Sequence, residues 1–243
     1  MSGGRILNWR SRRMDKFKIE DMAALDPREV PIYWLSDVAL FTGVPESTLK
    51  RWIGQVSSSR ALIHPPAEQL QQRKSEARLS FANLLEAHVL DATRTHEIPI
   101  TKVRRGVQYL RELFPTEKHP LLAAEFYSAP GTQDMFLRSV TGDTINVSRH
   151  GQRGLAAVLD EHLKRIEWDS DGPVRLMPMR SNRVMIDLFV SGGQPVIKGT
   201  GVLARILAGR WRAGDSLEEL ARNYTIPLDD IREAVRYIDA TAA

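Results

Sequence analysis

The chain has 243 residues, 42% of them apolar, with a formal net charge of +4 and no cysteine. That length holds one large domain or a few small ones, and the missing cysteines exclude disulfides, thiolate zinc sites and cysteine nucleophiles. No apolar run approaches the roughly 18 residues that span a bilayer, and the basic N-terminal stretch lacks the apolar centre of a secretory signal. The expectation is a cytoplasmic protein without a membrane partner.

In chain order, residues 1–30 form a polar arm in which Arg5, Arg10, Arg12, Arg13, Lys16 and Lys18 stand against Asp15. Two readings stay open for it: a solvated terminus, or an arm that touches phosphates or a minor groove. The string YWLSDVALFTGVPESTLKRWI at 33–53 predicts two short helices. The first runs from about Ser36 or Asp37 to Thr42, Gly43 makes the turn, and Pro45 suits the start of the second helix. Leu35, Val38, Ala39, Val44, Leu49, Trp52 and Ile53 supply a small core. The N-terminal part of the second helix of such a pair meets base edges and phosphates. Ser47, Thr48, Lys50 and Arg51 are therefore the DNA-contact candidates, with arginine able to take guanine bidentately.

Residues 54–78 read as a loop or hairpin. A helix follows with Leu84, Leu85, Val89 and Ala92 at helical spacing. Thr101 is expected to cap another, which carries Val103, Val107, Leu110 and Phe114 on one face and ends at Pro115. Between 116 and 182, a hairpin is expected around Thr141-Gly142-Asp143, an amphipathic helix over 154–166, and a second hairpin turning at Asp171-Gly172.

From 183 on, a strand leads into three helices. Ser216 and Glu219 form a capping box, Tyr224-Thr225-Ile226 turns the chain, and Ile231, Val235 and Ile238 line the last helix. This unit also has helix-turn-helix spacing. Its last helix, however, carries Asp229, Asp230, Glu233 and Asp239 against only Arg232 and Arg236, so phosphates would repel it. It reads instead as a dimerisation or partner-binding module.

No catalytic pattern emerges. The six histidines have no metal-ligand spacing, His88 reads as a helix-packing residue, and SGGQPVIKGTG has Lys-Gly-Thr where a phosphate loop needs Gly-Lys-Ser/Thr. The chain reads as no enzyme, with no cofactor and no metal.

Several strings carry family resemblances. YWLSDVALFTGVPESTLKRW, then LIHPP, then the helices ending QYLREL, make residues 33–114 resemble a MerR-like winged helix-turn-helix. The resemblance implies a wing over 60–78, and adds Arg73, Lys74 and Arg78 to the DNA-contact candidates. The pieces GQPVIKGT, AGDSLEELA and IREA make residues 185–243 similar to a small uncharacterised domain of bacterial antitoxin-like proteins. The position after Thr200, usually arginine in that family, is Gly201 here.

Over roughly 31–240 the order of elements is similar to VapB-type antitoxins of this architecture. That implies a type II antitoxin, homodimeric, which binds a PIN-domain ribonuclease toxin and represses its own operon at operator DNA. A stand-alone helix-turn-helix transcription regulator with a small effector is the alternative, and a structural scaffold without specific DNA binding is a third.

The expected fold is α+β and mainly helical. A basic arm (1–30) leads into a winged helix-turn-helix domain (31–115), a mixed linking region with short antiparallel strands (116–182), and a C-terminal three-helix domain (183–243).

Overall fold

A computed structural model of the chain describes residues 26–55, 61–66, 78–95, 97, 99–122, 124–128, 135–139, 144–146 and 162–242. Residues 1–25 of the basic arm, Arg60, Arg73, Lys74, His150 and most of the amphipathic helix expected over 154–166 lie outside these residues.

The fold is mixed α+β and mainly helical, as the sequence implies. A 3₁₀ turn at Pro27–Glu29 leads to β1 (Tyr33–Trp34), α1 (Leu35–Thr42) and α2 (Glu46–Trp52). β2 (Arg78–Leu79) pairs antiparallel with β1, and α3 (Phe81–Thr95) and α4 (Ile100–Leu113) follow. Among the described residues, β3 (Ala124–Ser128), β4 (Met135–Ser139) and β5 (Thr144–Asn146) form one antiparallel sheet in sequential order. A second antiparallel sheet joins β6 (Ile166–Asp169), β7 (Gly172–Leu176), β8 (Val184–Asp187) and β9 (Pro195–Ile197). The chain ends with α5 (Ala204–Arg212), α6 (Leu217–Tyr224) and α7 (Leu228–Ala242).

Local chemistry explains these boundaries. Ser80 and Asn83 bond reciprocally, each side chain to the other's backbone N–H, and so start α3. Nearly every side chain of α3 from Phe81 to Thr93 is buried, which makes it the central rod of the N-terminal half. α4 begins one residue earlier than its expected cap: Pro99 is the N-cap and Thr101 lies inside the first turn. Pro99 has the fixed φ that a helix start favours and no N–H to satisfy. The β6–β7 turn is closed by Asp169, whose Oδ1 accepts from Asp171 N and Gly172 N. α6 has the expected capping box: Ser216 Oγ accepts from Glu219 N while the Glu219 carboxylate accepts from Ser216 N.

Two cores meet across the second sheet. The larger gathers α1 to α4 with Ile166, Leu176, Ile186 and Leu188. The smaller gathers α5 to α7 with Val184 and Ile197, and Leu40 of α1 packs against both. Two polar ties cross this junction, and a third holds the N-terminal turn to the β6–β7 hairpin. Tyr33 donates its hydroxyl to the Gly193 carbonyl at 2.9 Å. Tyr237 of α7 donates to the Phe41 carbonyl at 2.6 Å. Arg28 donates from Nε to the Pro173 carbonyl and from Nη2 to Asp169. β7 and β8 hydrogen-bond side by side, so the sheet runs on from the linking region into the C-terminal unit.

Candidate nucleic-acid interface

α1 and α2 form a helix pair around a left-handed turn. Gly43 has φ +77° and its N–H closes α1 on the Ala39 carbonyl at 2.8 Å. Thr42 shapes the same turn from within: its hydroxyl donates to the Val38 carbonyl and accepts from Val44 N. A side chain at Gly43 would also press on Arg180, whose Nη1 lies 3.0 Å from the place a Cβ would take. Pro45 sits at the N-cap of α2, and its carbonyl accepts from Thr48 N and Leu49 N.

Leu49, Trp52 and Ile53 are buried, at 0%, 5% and 4% exposure. Spacings of three and four residues put them on one helical face and turn the rest of α2 outward. Ser47, Lys50 and Arg51 are exposed and Thr48 is half-buried. Their contacts are local and exchangeable. Arg51 Nη2 donates to Thr48 Oγ1 at 3.2 Å, and Lys50 Nζ lies 3.5 Å from Glu46. An exposed i,i+4 pair of this kind contributes only about 0.3–0.5 kcal/mol, so Lys50 can leave it for a phosphate at little cost. The Trp52 carbonyl accepts from Leu62 N and Ile63 N, which docks residues 61–63 against the end of α2.

Arg78, the candidate at the foot of the segment expected as a wing, is the direct cross-strand partner of Trp34. Its guanidinium carbon lies 4.1 Å from the Trp34 ring centroid.

The C-terminal helix pair is arranged differently. α7 buries Ile231, Ala234, Val235, Tyr237 and Ile238 and packs on α5, α6 and α1. Each of its acidic residues from 229 to 239 has an internal partner. Asp229 pairs with Arg232, Asp230 with Arg183, and Asp239 with Arg212. Glu233 accepts from the Ser181 hydroxyl and from Asn182 N and Arg183 N. Burial pushes the Glu233 carboxyl up, but those donors outweigh it and hold it below the usual carboxylate range. Asp230 and Glu233 thus anchor α7 to the loop before β8, while Asp239 ties it to α5 and Asp229 pairs within the helix. α7 is a hub helix with most of its surface already used.

A buried polar network has no signal in the spacing of the sequence. His119 lies between two carboxylates, with Nε2 3.0 Å from Glu29 and Nδ1 2.9 Å from Glu86. Burial alone would lower its pKa, but the two carboxylates raise it to about 10. Asn83 Nδ2 donates to Glu86 and to the His64 carbonyl, while Arg111 donates to the carbonyls of Ala61 and Leu62. The network fastens residues 61–64, which dock on α2, to α3 and α4.

His88 is buried at 2% exposure, and its Nε2 donates to the His162 carbonyl at 3.1 Å. Burial first, and the neighbouring His162 second, push its pKa down to about 3, so it is a neutral packing residue. Among the described residues no group of three or more histidine and acidic side chains could hold a metal ion. Nor is any helix there long and apolar enough to cross a membrane.

Comparison with known proteins adds four likenesses. Residues 184–238 match a family model described as a protein of unknown function, DUF433. Over 237 residues, the chain is 28% identical to a Mycobacterium tuberculosis protein named "Putative antitoxin VapB45", covering 88% of this chain and 95% of that one. It is 22% identical to the uncharacterised protein Rv2308 of the same organism, covering 89% and 94%. Among solved structures, the crystal structure of Rv2018 from M. tuberculosis superposes with a TM-score of 0.59 at 20% identity, covering 85% of this chain and 97% of that one. At that identity the likeness concerns the fold, and it extends through both halves of the chain.

Proposed function

We propose that the chain is a DNA-binding antitoxin. It holds a ribonuclease toxin of the PIN-domain class in a cytoplasmic complex and represses its own operon. The observation that carries this reading is the similarity to a protein named as an antitoxin along almost the full length of both chains. The geometry of α2 supports the DNA-binding part. Its exposed Ser47, Lys50 and Arg51 are held outward by a buried face and a fixed turn, as a MerR-like reading helix requires. A homodimer would present two such helices to two half-sites. α7, with its acids engaged internally, leaves DNA contact to α2 and serves the C-terminal unit as a packing hub.

Co-expression with the product of a neighbouring PIN-domain reading frame tests the antitoxin reading. The expected result is rescue of growth and a complex of the two chains that survives purification and sizing. Toxicity unrelieved by the chain, with the two proteins eluting separately, would contradict it.

A further inference from the structure

α5 carries an exposed isoleucine, a glycine and an arginine that the folded chain does not use. The helix buries Ala204, Leu207 and Ala208 against the smaller core. Spacings of three and four residues set Arg205, Ile206 and Gly209 on the side turned away from it. Ile206 is 44% exposed, and Arg205 and Gly209 are exposed with it. Gly209 stands inside the helix, where glycine is a weaker former than any residue but proline. Its φ is not positive, and a Cβ there would meet nothing within 4 Å. Nothing inside the chain therefore calls for glycine, whereas the close approach of another backbone would. The charges point the same way. Arg205 has no ion-pair partner among the described residues, and it lies in the first turn, where a helix dipole disfavours a cation. Asp215 lies just past the other end of α5, bonded to Arg210 Nε at 2.5 Å. Arg210 is one turn on from Ile206, which sets the Asp215 carboxylate on the Ile206 side.

We propose that this face of α5 docks a second copy of the chain, the two helices crossing antiparallel about a two-fold axis at Gly209. This rests on the homodimer of the proposed function and names its surface. An antiparallel crossing brings the N-terminal end of each helix to the C-terminal end of the other, where the dipole favours a cation. Arg205 stands about 6 Å before the crossing, and Asp215 of the second copy lies about 9 Å along the same direction. An arginine side chain spans that difference. A carboxylate accepts more than one donor, so Asp215 takes Arg205 of the second copy while keeping Arg210. The pair forms twice, as an isologous interface requires. The glycines let the backbones approach, and the two Ile206 side chains lose their exposed surface against the facing helix. The face suits a copy of itself better than a nucleic acid, because Arg210 and Arg212 already hold Asp215 and Asp239.

Sedimentation equilibrium of the full chain over a concentration series tests the interface. The parent is expected to dimerise. Arg205→Asp and Asp215→Arg each set like charges against one another at both contacts, and each is expected to raise the dissociation constant about tenfold or more. Mixed in equal amounts, the two variants restore opposite charges at both contacts and are expected to recover the dimer as a heterodimer. Ile206→Ser, which changes a side chain already exposed in the single chain, is expected to weaken the dimer as well. In the Arg205→Asp background, Gly209→Ala is expected to raise the melting temperature by about 2–4 °C, while in the parent it weakens the dimer. A parent dimer that neither charge reversal weakens, or reversals that weaken it without recovery on mixing, would overturn the α5 interface and leave the homodimer standing. A parent that stays monomeric throughout would remove the homodimer and the interface together. Binding to a duplex that the parent has enriched from a randomised pool separates this from the DNA-binding reading. Arg205→Asp alone is expected to bind that duplex more weakly, and the mixture to restore the affinity. If the parent enriches no duplex, the DNA-binding reading fails while the sedimentation result still decides the interface.

Discussion

Lys50 and Arg51 are the residues on which sequence preference is expected to rest. Both are exposed, and the ties they make in the free protein are weak exposed ones. Replacing both with alanine removes a candidate bidentate guanine contact worth about 1–3 kcal/mol of discrimination and leaves Leu49 and Trp52 in place. The expected outcome is an unchanged thermal melt with loss of preference between the enriched duplex and a scrambled one, read by competition anisotropy.

His119 makes a pH-dependent contribution at the same scale. Its folded pKa is raised to about 10 from an ordinary 6.5. Its stabilisation is fully present below about pH 6.5 and fades as the pH rises through 10. Urea unfolding should find His119→Gln most destabilised against the parent at pH 6, with the gap closing by pH 10; a gap that widened with pH would contradict the assignment. His88 works in the opposite sense: its pKa is depressed to about 3, so its contribution is lost as the pH falls below 6.5.

At the scale of elements, the ties between the two halves make specific demands. Gly193 has φ +72°, and a Cβ there would stand 2.2 Å from the Tyr33 hydroxyl. Gly193→Ala combines positive-φ strain with that clash, and an expected loss of about 2–4 kcal/mol would lower the urea midpoint. Tyr237→Phe leaves the Phe41 carbonyl without its buried donor and should cost about 1–3 kcal/mol by the same measurement.

Much of the element pattern was legible in the chain because its causes are local. Gly43 and the buried face Leu49–Trp52–Ile53 fix the first helix pair. Ser216 and Glu219 fix the start of α6, and Asp169 to Gly172 fix the second hairpin. What was not legible depends on residues distant in sequence. The placing of His119 between Glu29 and Glu86 spans 90 residues on one side, and the bond from Tyr237 to Phe41 spans 196. The burial of almost all of α3 also escapes periodicity, because its polar Asn83, Glu86, His88 and Asp91 are inside with partners.

At the scale of the whole molecule, two helix pairs share one spacing but differ in use. The first leaves a polar surface outward on α2; the second consumes its acidic surface on Arg183, Arg212 and the loop at 181–183. α1 lies between the two cores, bonded to α7 at Phe41 and packed at Leu40. A partner held by the C-terminal unit would therefore be held by the same body that carries α2. The most direct measurement compares two paired substitutions on the enriched duplex: Lys50→Ala with Arg51→Ala on α2, and Arg232→Ala with Arg236→Ala on α7. The account predicts that the first abolishes sequence-specific binding and that the second preserves it. Specific binding that survived the first pair and vanished with the second would contradict it.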